Sequence, residues 1–155
     1  VVKADSTQWL ANHAAEELAK YVEQITGAKV QVESPQPEVS EFLLGANLPE
    51  KPTDQPQGDL VFVLSMSNQA NRLKTLPGAD NPERLRDGFV IQSQGNNKLL
   101  MAEIEPIGLL YGVYEYLEKY CGCGFFSDGD YVPKRSTLPV GGINVAVLKM
   151  RPGRV

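Results

Sequence analysis

The stretch Asp59-Leu60-Val61-Phe62-Val63-Leu64-Ser65 decides the fold. A strand with one wet face alternates polar and apolar side chains, whereas an unbroken run with Val, Phe and Val at its centre suits a strand covered on both faces. The run therefore predicts the central strand of a sheet. It is also the longest purely apolar run in the chain, and it falls far short of the ~20 residues that cross a bilayer. No membrane span is expected.

On the N-terminal side, Val1 to Lys3 reads as a short strand. Asp5, Ser6 or Thr7 can then accept from the free amides that open a helix. That helix is predicted from Thr7 to Thr26, because Leu10, Ala14, Leu18, Tyr21, Val22 and Ile25 recur every three or four positions, with Gly27 placed for a left-handed cap. Glu16 and Lys20 are spaced for an exposed ion pair worth about 0.3 kcal/mol. Lys29 to Glu33 alternates like a strand with one wet face, and Phe42 to Gly45 reads as a buried strand. Between them and the central strand, Pro49, Pro52 and Pro56 mark a surface loop.

On the C-terminal side, residues 68 to 76 predict a short helix, and Pro77 to Arg86 an irregular crossing. Phe89 to Ser93 and Lys98 to Ala102 flank Gln94-Gly95-Asn96-Asn97, whose tolerance of positive φ predicts a hairpin. From Pro106 to Tyr120 a second long helix is expected, with Ile107, Leu110, Tyr114 and Leu117 on its apolar stripe, widened by Tyr111 and Val113, and Gly122 and Gly124 ending it. Phe125-Phe126 is expected to drop back onto the sheet, Val132 to Val140 to connect, and Ile143 to Leu148 to add one more strand. The element order implies an α+β fold, an α/β two-layer sandwich of a mixed sheet with two long helices on one face. Residues 1–142 form the domain in this reading, and residues 143–155 a connector.

The composition narrows the chemistry. At 155 residues the chain is one ordinary domain, large enough to remove roughly 68–70% of its unfolded surface from water. Fifteen Lys and Arg against nineteen Asp and Glu leave a net charge of −4, which argues against the broad basic face that nucleic acid requires. Two cysteines and the single His13 cannot complete a four-ligand zinc site without carboxylates, nor build a disulfide framework. Cys121 and Cys123 are too close for an unstrained bridge and read as small buried hydrophobes. The start lacks the pattern of a secretory signal, consistent with a cytoplasmic protein or a signal already removed. The end, Lys149-Met150-Arg151-Pro152, reads as interrupted, as if a further segment followed.

The segment Gly108-Leu109-Leu110-Tyr111-Gly112-Val113-Tyr114-Glu115-Tyr116-Leu117-Glu118, followed by Gly122-Cys123-Gly124-Phe125-Phe126 and Val132-Pro133, resembles the N-terminal accessory domain of glycoside hydrolases. The similar groups are the family 67 α-glucuronidases and family 20 β-N-acetylhexosaminidases. Ala14-Ala15-Glu16-Glu17-Leu18 and Ile25-Thr26-Gly27-Ala28 resemble the first helix of the same domain. The likeness extends from about Ala14 to Val140. It departs at Gly124-Phe125-Phe126, where that group tends to have Arg-Trp-Phe. The resemblance implies a layout like that of zinc-dependent proteases without their metal centre, placed ahead of a (β/α)8 barrel that carries the catalytic carboxylates. It further implies a periplasmic or secreted protein.

Six acids lie between Glu103 and Asp130, and glycoside hydrolysis uses two carboxylates. Glu115 and Glu118, however, are spaced as a solvated helix face, and Glu103 and Glu105 as charges favoured by a helix N-terminus. No catalytic, metal-ligating or cofactor-binding residue is assigned, and no cofactor is expected. Seven of the eleven Tyr and Phe residues fall between Tyr111 and Tyr131. Helical spacing sends Tyr111 and Tyr114 to the core and leaves Tyr116, Tyr120, Phe125, Phe126 and Tyr131 as candidates for contact with a neighbouring domain or a sugar. The chain divides at Asp130 into about −9 and +5, a polarity suited to docking on another domain. The expected partner is a catalytic barrel of the same polypeptide, with capture of polysaccharide through the exposed rings as the alternative.

Overall fold

A computed structural model of the chain describes residues 1–4, 9–33, 60–64 and 68–148. Strand β1 (Val2–Ala4) leads to helix α1 (Trp9–Thr26), then β2 (Val32–Glu33) and β3 (Val61–Leu64). A 3-10 helix (Asn68–Thr75) and the short helix α2 (Pro82–Arg86) precede the hairpin β4 (Phe89–Ser93) and β5 (Lys98–Glu103). Helix α3 (Pro106–Glu115) runs on into a π turn (Tyr116–Tyr120). Then come β6 (Gly124–Phe126), β7 (Gly129–Tyr131) and β8 (Asn144–Val147).

Six strands form one mixed sheet in the order β2-β1-β3-β5-β4-β8. The pairs β1–β2, β1–β3 and β3–β5 are parallel, and β4 is antiparallel to both β5 and β8. The fold is an α+β sandwich, and the central strand is β3, whose Phe62 and Leu64 face one core while Val63 faces the other. Its unbroken apolar run follows from that two-sided burial. The hairpin is as expected, with Gly95 at φ +87° in its turn. The predicted strand at Phe42 to Gly45 and the loop with Pro49, Pro52 and Pro56 lie outside the described residues.

Both long helices pack on the same face. Ala11, Ala14, Ala15, Leu18, Tyr21, Val22 and Ile25 of α1 are buried in the larger core. Gly27 closes the helix at φ +76° with its N–H donating to the Glu23 carbonyl at 2.8 Å. The expected Glu16–Lys20 pair does not form. Lys20 lies 3.8 Å from Glu17, one residue on, and Glu16 instead accepts from Asn12 at 3.1 Å. On α3 the buried residues are Gly108, Leu109, Gly112 and Val113, so the core stripe is rotated from the predicted one. The reason is the two glycines. A Cβ on Gly108 would lie 2.3 Å from the Gly88 carbonyl oxygen, and one on Gly112 would touch Phe89 at 3.4 Å. The helix meets β4 along its bare side.

The opposite face carries Val63, Val90, Leu100 and Ala102, covered by Ala70 and Leu73 from the 3-10 helix. Within the predicted irregular crossing, Asn81 caps α2 by accepting from the Glu83 and Arg84 amides at 3.0 and 3.3 Å, an order unavailable to apolar periodicity because α2 buries none of its residues.

One further expectation is corrected. Phe125-Phe126 does not return to the main sheet but forms β6 of a separate two-stranded sheet with β7. The strand expected within Ile143 to Leu148 is present: residues 144–147 pair with β4 as an edge strand. Their approach is fixed by Ser93, whose hydroxyl donates to the Val140 carbonyl and accepts from the Ile143 amide. The linking segment also ties both long helices together at their C-terminal ends. Lys134 Nζ donates to the Gln24 carbonyl at 2.7 Å, the Arg135 amide to Ile25 at 2.9 Å, and Arg135 Nη1 to Tyr120 at 3.0 Å. Cations at these ends also oppose the negative pole of each helix.

Gly108→Ala is expected to destabilise the protein by about 1–3 kcal/mol, because the backbone at Gly88 must move to admit a methyl group. Urea unfolding checks this as a lowered midpoint at unchanged slope.

Candidate functional site

The hairpin β6–β7 is built outward from the helices. Helix α3 ends in a π turn, with the Cys121 amide donating to Tyr116 at 3.2 Å and the Cys123 amide to Leu117 at 2.9 Å. Gly122 supplies the left-handed residue, at φ +83°, that this ending needs. The chain then leaves as β6, in register with β7 as Gly124 opposite Tyr131, Phe125 opposite Asp130 and Phe126 opposite Gly129. Alternation puts Phe125 and Asp130 on one side and Gly124, Phe126 and Tyr131 on the other.

The inner side is braced by aromatic packing. The Phe125 ring stands edge-on to Tyr21 of α1 and to Tyr114 of α3, with centroids 5.2 and 5.1 Å away. Tyr21 donates its hydroxyl proton to Asp130 at 2.5 Å, and Tyr114 donates to Glu17 at 2.7 Å. One ring of the hairpin thus sits between two helices, and one carboxylate of the hairpin is bonded to the first. Burial, then the bonded Asp130, pushes the Tyr21 phenol well above its ordinary range, and burial with Glu17 pushes Tyr114 up to about 12.

The outer side is open. Phe126 is 65% exposed and Tyr131 59% exposed, both large rings on one face of a braced hairpin. Phe126 lies against Gly124, where an added Cβ would meet its ring carbons at 2.5 and 2.8 Å. Asp128, in the turn between the strands, is exposed beside them.

The five aromatic candidates therefore separate. Phe126 and Tyr131 are brought together on the exposed face. Phe125 is the brace. Tyr120 is half-buried and stacks on Tyr116 at 6.1 Å. Tyr116 is removed from the surface altogether. It is fully buried, its ring 5.7 Å from Phe62, and its hydroxyl donates to the Pro139 carbonyl at 3.0 Å. It belongs to the core because it falls seven residues after Leu109 and three after Val113, in line with the buried stripe. Tyr111 and Tyr114 are only partly buried, at the margin of that core.

Among the acids, Glu118 is exposed, while Glu115 is largely covered and pairs with Lys119 at 3.4 Å. Glu105 holds the N-cap position of α3 without a side-chain bond to it. Glu103 is not a surface charge at a helix end but a buried residue of β5. Cys121 and Cys123 are buried free thiols, and burial pushes Cys121 up to about 11. Trp9, which the sequence reading passed over, is the most exposed large apolar side chain described, at 74%, and stacks on His13 at 5.6 Å. Its position at the start of a helix, before any apolar periodicity is established, was the available signal. Among the described residues no group of three or more His, Cys, Asp or Glu could hold a metal ion, and no helix is long and apolar enough to cross a membrane.

No model of a known protein family matches the chain, and no curated protein matches it significantly.

The phenols give the fold an alkaline limit. Tyr21, Tyr114 and Tyr116 all have their pKa raised, each chiefly by burial, so the folded state holds protons that the unfolded state releases above about pH 10. Stability is complete below that value and falls as pH rises past it. Absorbance at 295 nm is expected to show fewer ionised tyrosines at pH 11 in native protein than in urea. Tyr21→Phe is expected to cost about 1 kcal/mol at neutral pH, read by urea unfolding.

Proposed function

We propose that this chain is the non-catalytic N-terminal domain of a glycoside hydrolase of polysaccharide breakdown, exported to the periplasm or beyond the cell. It packs on a (β/α)8 catalytic barrel of the same polypeptide and supports the surroundings of its active site. The observation that carries this reading is the outer face of β6–β7. Phe126 and Tyr131 are exposed side by side on a hairpin whose inner face is locked to both helices. The hairpin falls within the segment, Gly122 to Pro133, whose sequence resembles the accessory domains of such enzymes. A soluble surface does not gain from displaying two large rings on a rigid support unless something covers them. Each ring offers on the order of 100 Å² to a partner, roughly 3 kcal/mol before the costs of association.

The test uses the whole natural polypeptide. With Phe126→Ser and Tyr131→Ser together, its melting temperature is expected to fall by several degrees and its hydrolytic rate with it. Unchanged melting and hydrolysis would refute the proposal, as would a natural gene product that ends at Val155.

A second reading is favoured by the exposure of Phe126 and Tyr131 on one face of the hairpin, since an exposed aromatic ring can stack on a sugar. Here the domain itself captures polysaccharide. Titration of this chain with xylan or chitin oligomers is expected to give heat that disappears in Tyr131→Ala. Absence of heat, together with no retention on the polymers, overturns it.

A further inference from the structure

Glu103 is the last residue of β5, and α3 begins three residues later at Pro106. By alternation with Leu99 and Met101 its side chain lies on the helix-covered face of the sheet, where it is 2% exposed. Across the hairpin its register partner is Phe89. Above it stands Gly108, where an added Cβ would lie 3.1 Å from Glu103 Cβ and 2.3 Å from the Gly88 carbonyl oxygen. The carboxyl group is thus shut beneath the first turn of α3, at the joint between strand and helix. Its Oε2 has no hydrogen-bond partner.

Among the described residues no neighbouring charge compensates it. Beside β4, Asp87 is itself an acid, fully buried, and is held by Arg86 Nε at 3.1 Å. At the head of α3, Glu105 is a second acid and exposed, and further along Glu115 is paired with Lys119. On α1, Glu17 accepts from Tyr114 and lies near Lys20. The described residues of β3 are all apolar. Burying an unpaired carboxylate costs several kcal/mol, more than such a group can sustain without taking up a proton. Burial accordingly raises the Glu103 pKa from 4.5 to about 8, opposed only by its own backbone N–H.

We propose that Glu103 is a proton-operated catch: neutral, it lies beneath the first turn of α3 and leaves that turn seated on Gly88, and on ionising it forces the turn open to admit water. The closed state holds the proton and the open state releases it, so rising pH favours opening. The preference for the closed catch is complete below about pH 4.5, weakens as pH rises, and is fully lost above about 8. The step breaks no covalent bond other than the O–H, whose proton passes to solvent. Lifting the turn parts the backbone contact between Gly108 and Gly88 and unpacks one buried side chain, Leu109, from the larger core.

Hydrogen exchange on the intact chain tests this, with rates divided by their intrinsic values at each pH. Between pH 6 and pH 9 the amides of residues 108–112 are expected to lose about a hundredfold in protection, while those at the centre of α1 hold theirs. Glu103→Gln, neutral at every pH, is expected to abolish that loss. Equal loss in Glu103→Gln and the unaltered protein overturns the proposal. Should the variant fail to fold, carboxyl-13C titration of Glu103 in the unaltered protein decides: a midpoint well above 4.5, at the pH where the loss of protection levels off, supports the catch, and one near 4.5 overturns it.

Discussion

Helix α3 lies on the sheet only because Gly108 and Gly112 carry no side chain toward β4. At the first the backbone of Gly88 already occupies the space a methyl group needs, and at the second the Phe89 ring closes to contact distance. Two glycines in one helix cost it propensity, roughly 1 kcal/mol each relative to alanine. That loss is offset by a close approach which carries Leu109, Val113, Tyr116 and Leu117 into the larger core. The motif Gly-Leu-Leu-Tyr-Gly-Val-Tyr is therefore a packing statement about one helix face, and its glycines are as much part of the core as its leucines.

From that placement the aromatic ladder follows. With α3 seated, Tyr114 stands opposite Glu17 and Tyr21 of α1, and Phe125 fills the angle between the two tyrosines. The hairpin inherits its orientation from this wedge rather than from the sheet. At the other side of the same joint, Lys134 and Arg135 bond the closing carbonyls of α1 and of the π turn. Residues 121–135 are thus fixed at both ends and in the middle. A two-stranded hairpin has little stability of its own, so its rigidity, and the steady display of Phe126 and Tyr131, derives from the helices.

What the sequence disclosed and what it hid divide along physical lines. Strong periodicity located α1, and a five-residue apolar run located β3. The glycine-containing turn at Gln94 to Asn97 located the β4–β5 hairpin, since each of these is a local signal. Phe125-Phe126 was recognised as extended, but two residues cannot specify their partner, and the hydrogen bonds went to β7 instead of the sheet. Tyr116 was misplaced because the glycines of α3 were not counted on its apolar face. Glu103 was legible in principle: Leu99, Met101 and Glu103 share one side of β5, which puts an acid in line with two core residues. Proximity to a helix start masked that alternation. The exposure of Phe126 and Tyr131 was foreseen as one possibility among five rings, and only the register of β6 against β7 selected them.

Consistency between local pattern and global fold holds through most of the described residues, and among the places where it fails are the buried acid under α3 and the bare rings on the hairpin. Both failures border α3. The acid sits beneath its first turn and the rings hang from its last, so one helix spans both features. A partner covering Phe126 and Tyr131 removes the second cost without touching the first, because the hairpin is braced at Tyr114 and Tyr21, well along both helices from Gly108. The two features are independent in their physics. One answers to association and the other to proton concentration, and their only common element is a helix held in place by the absence of two side chains.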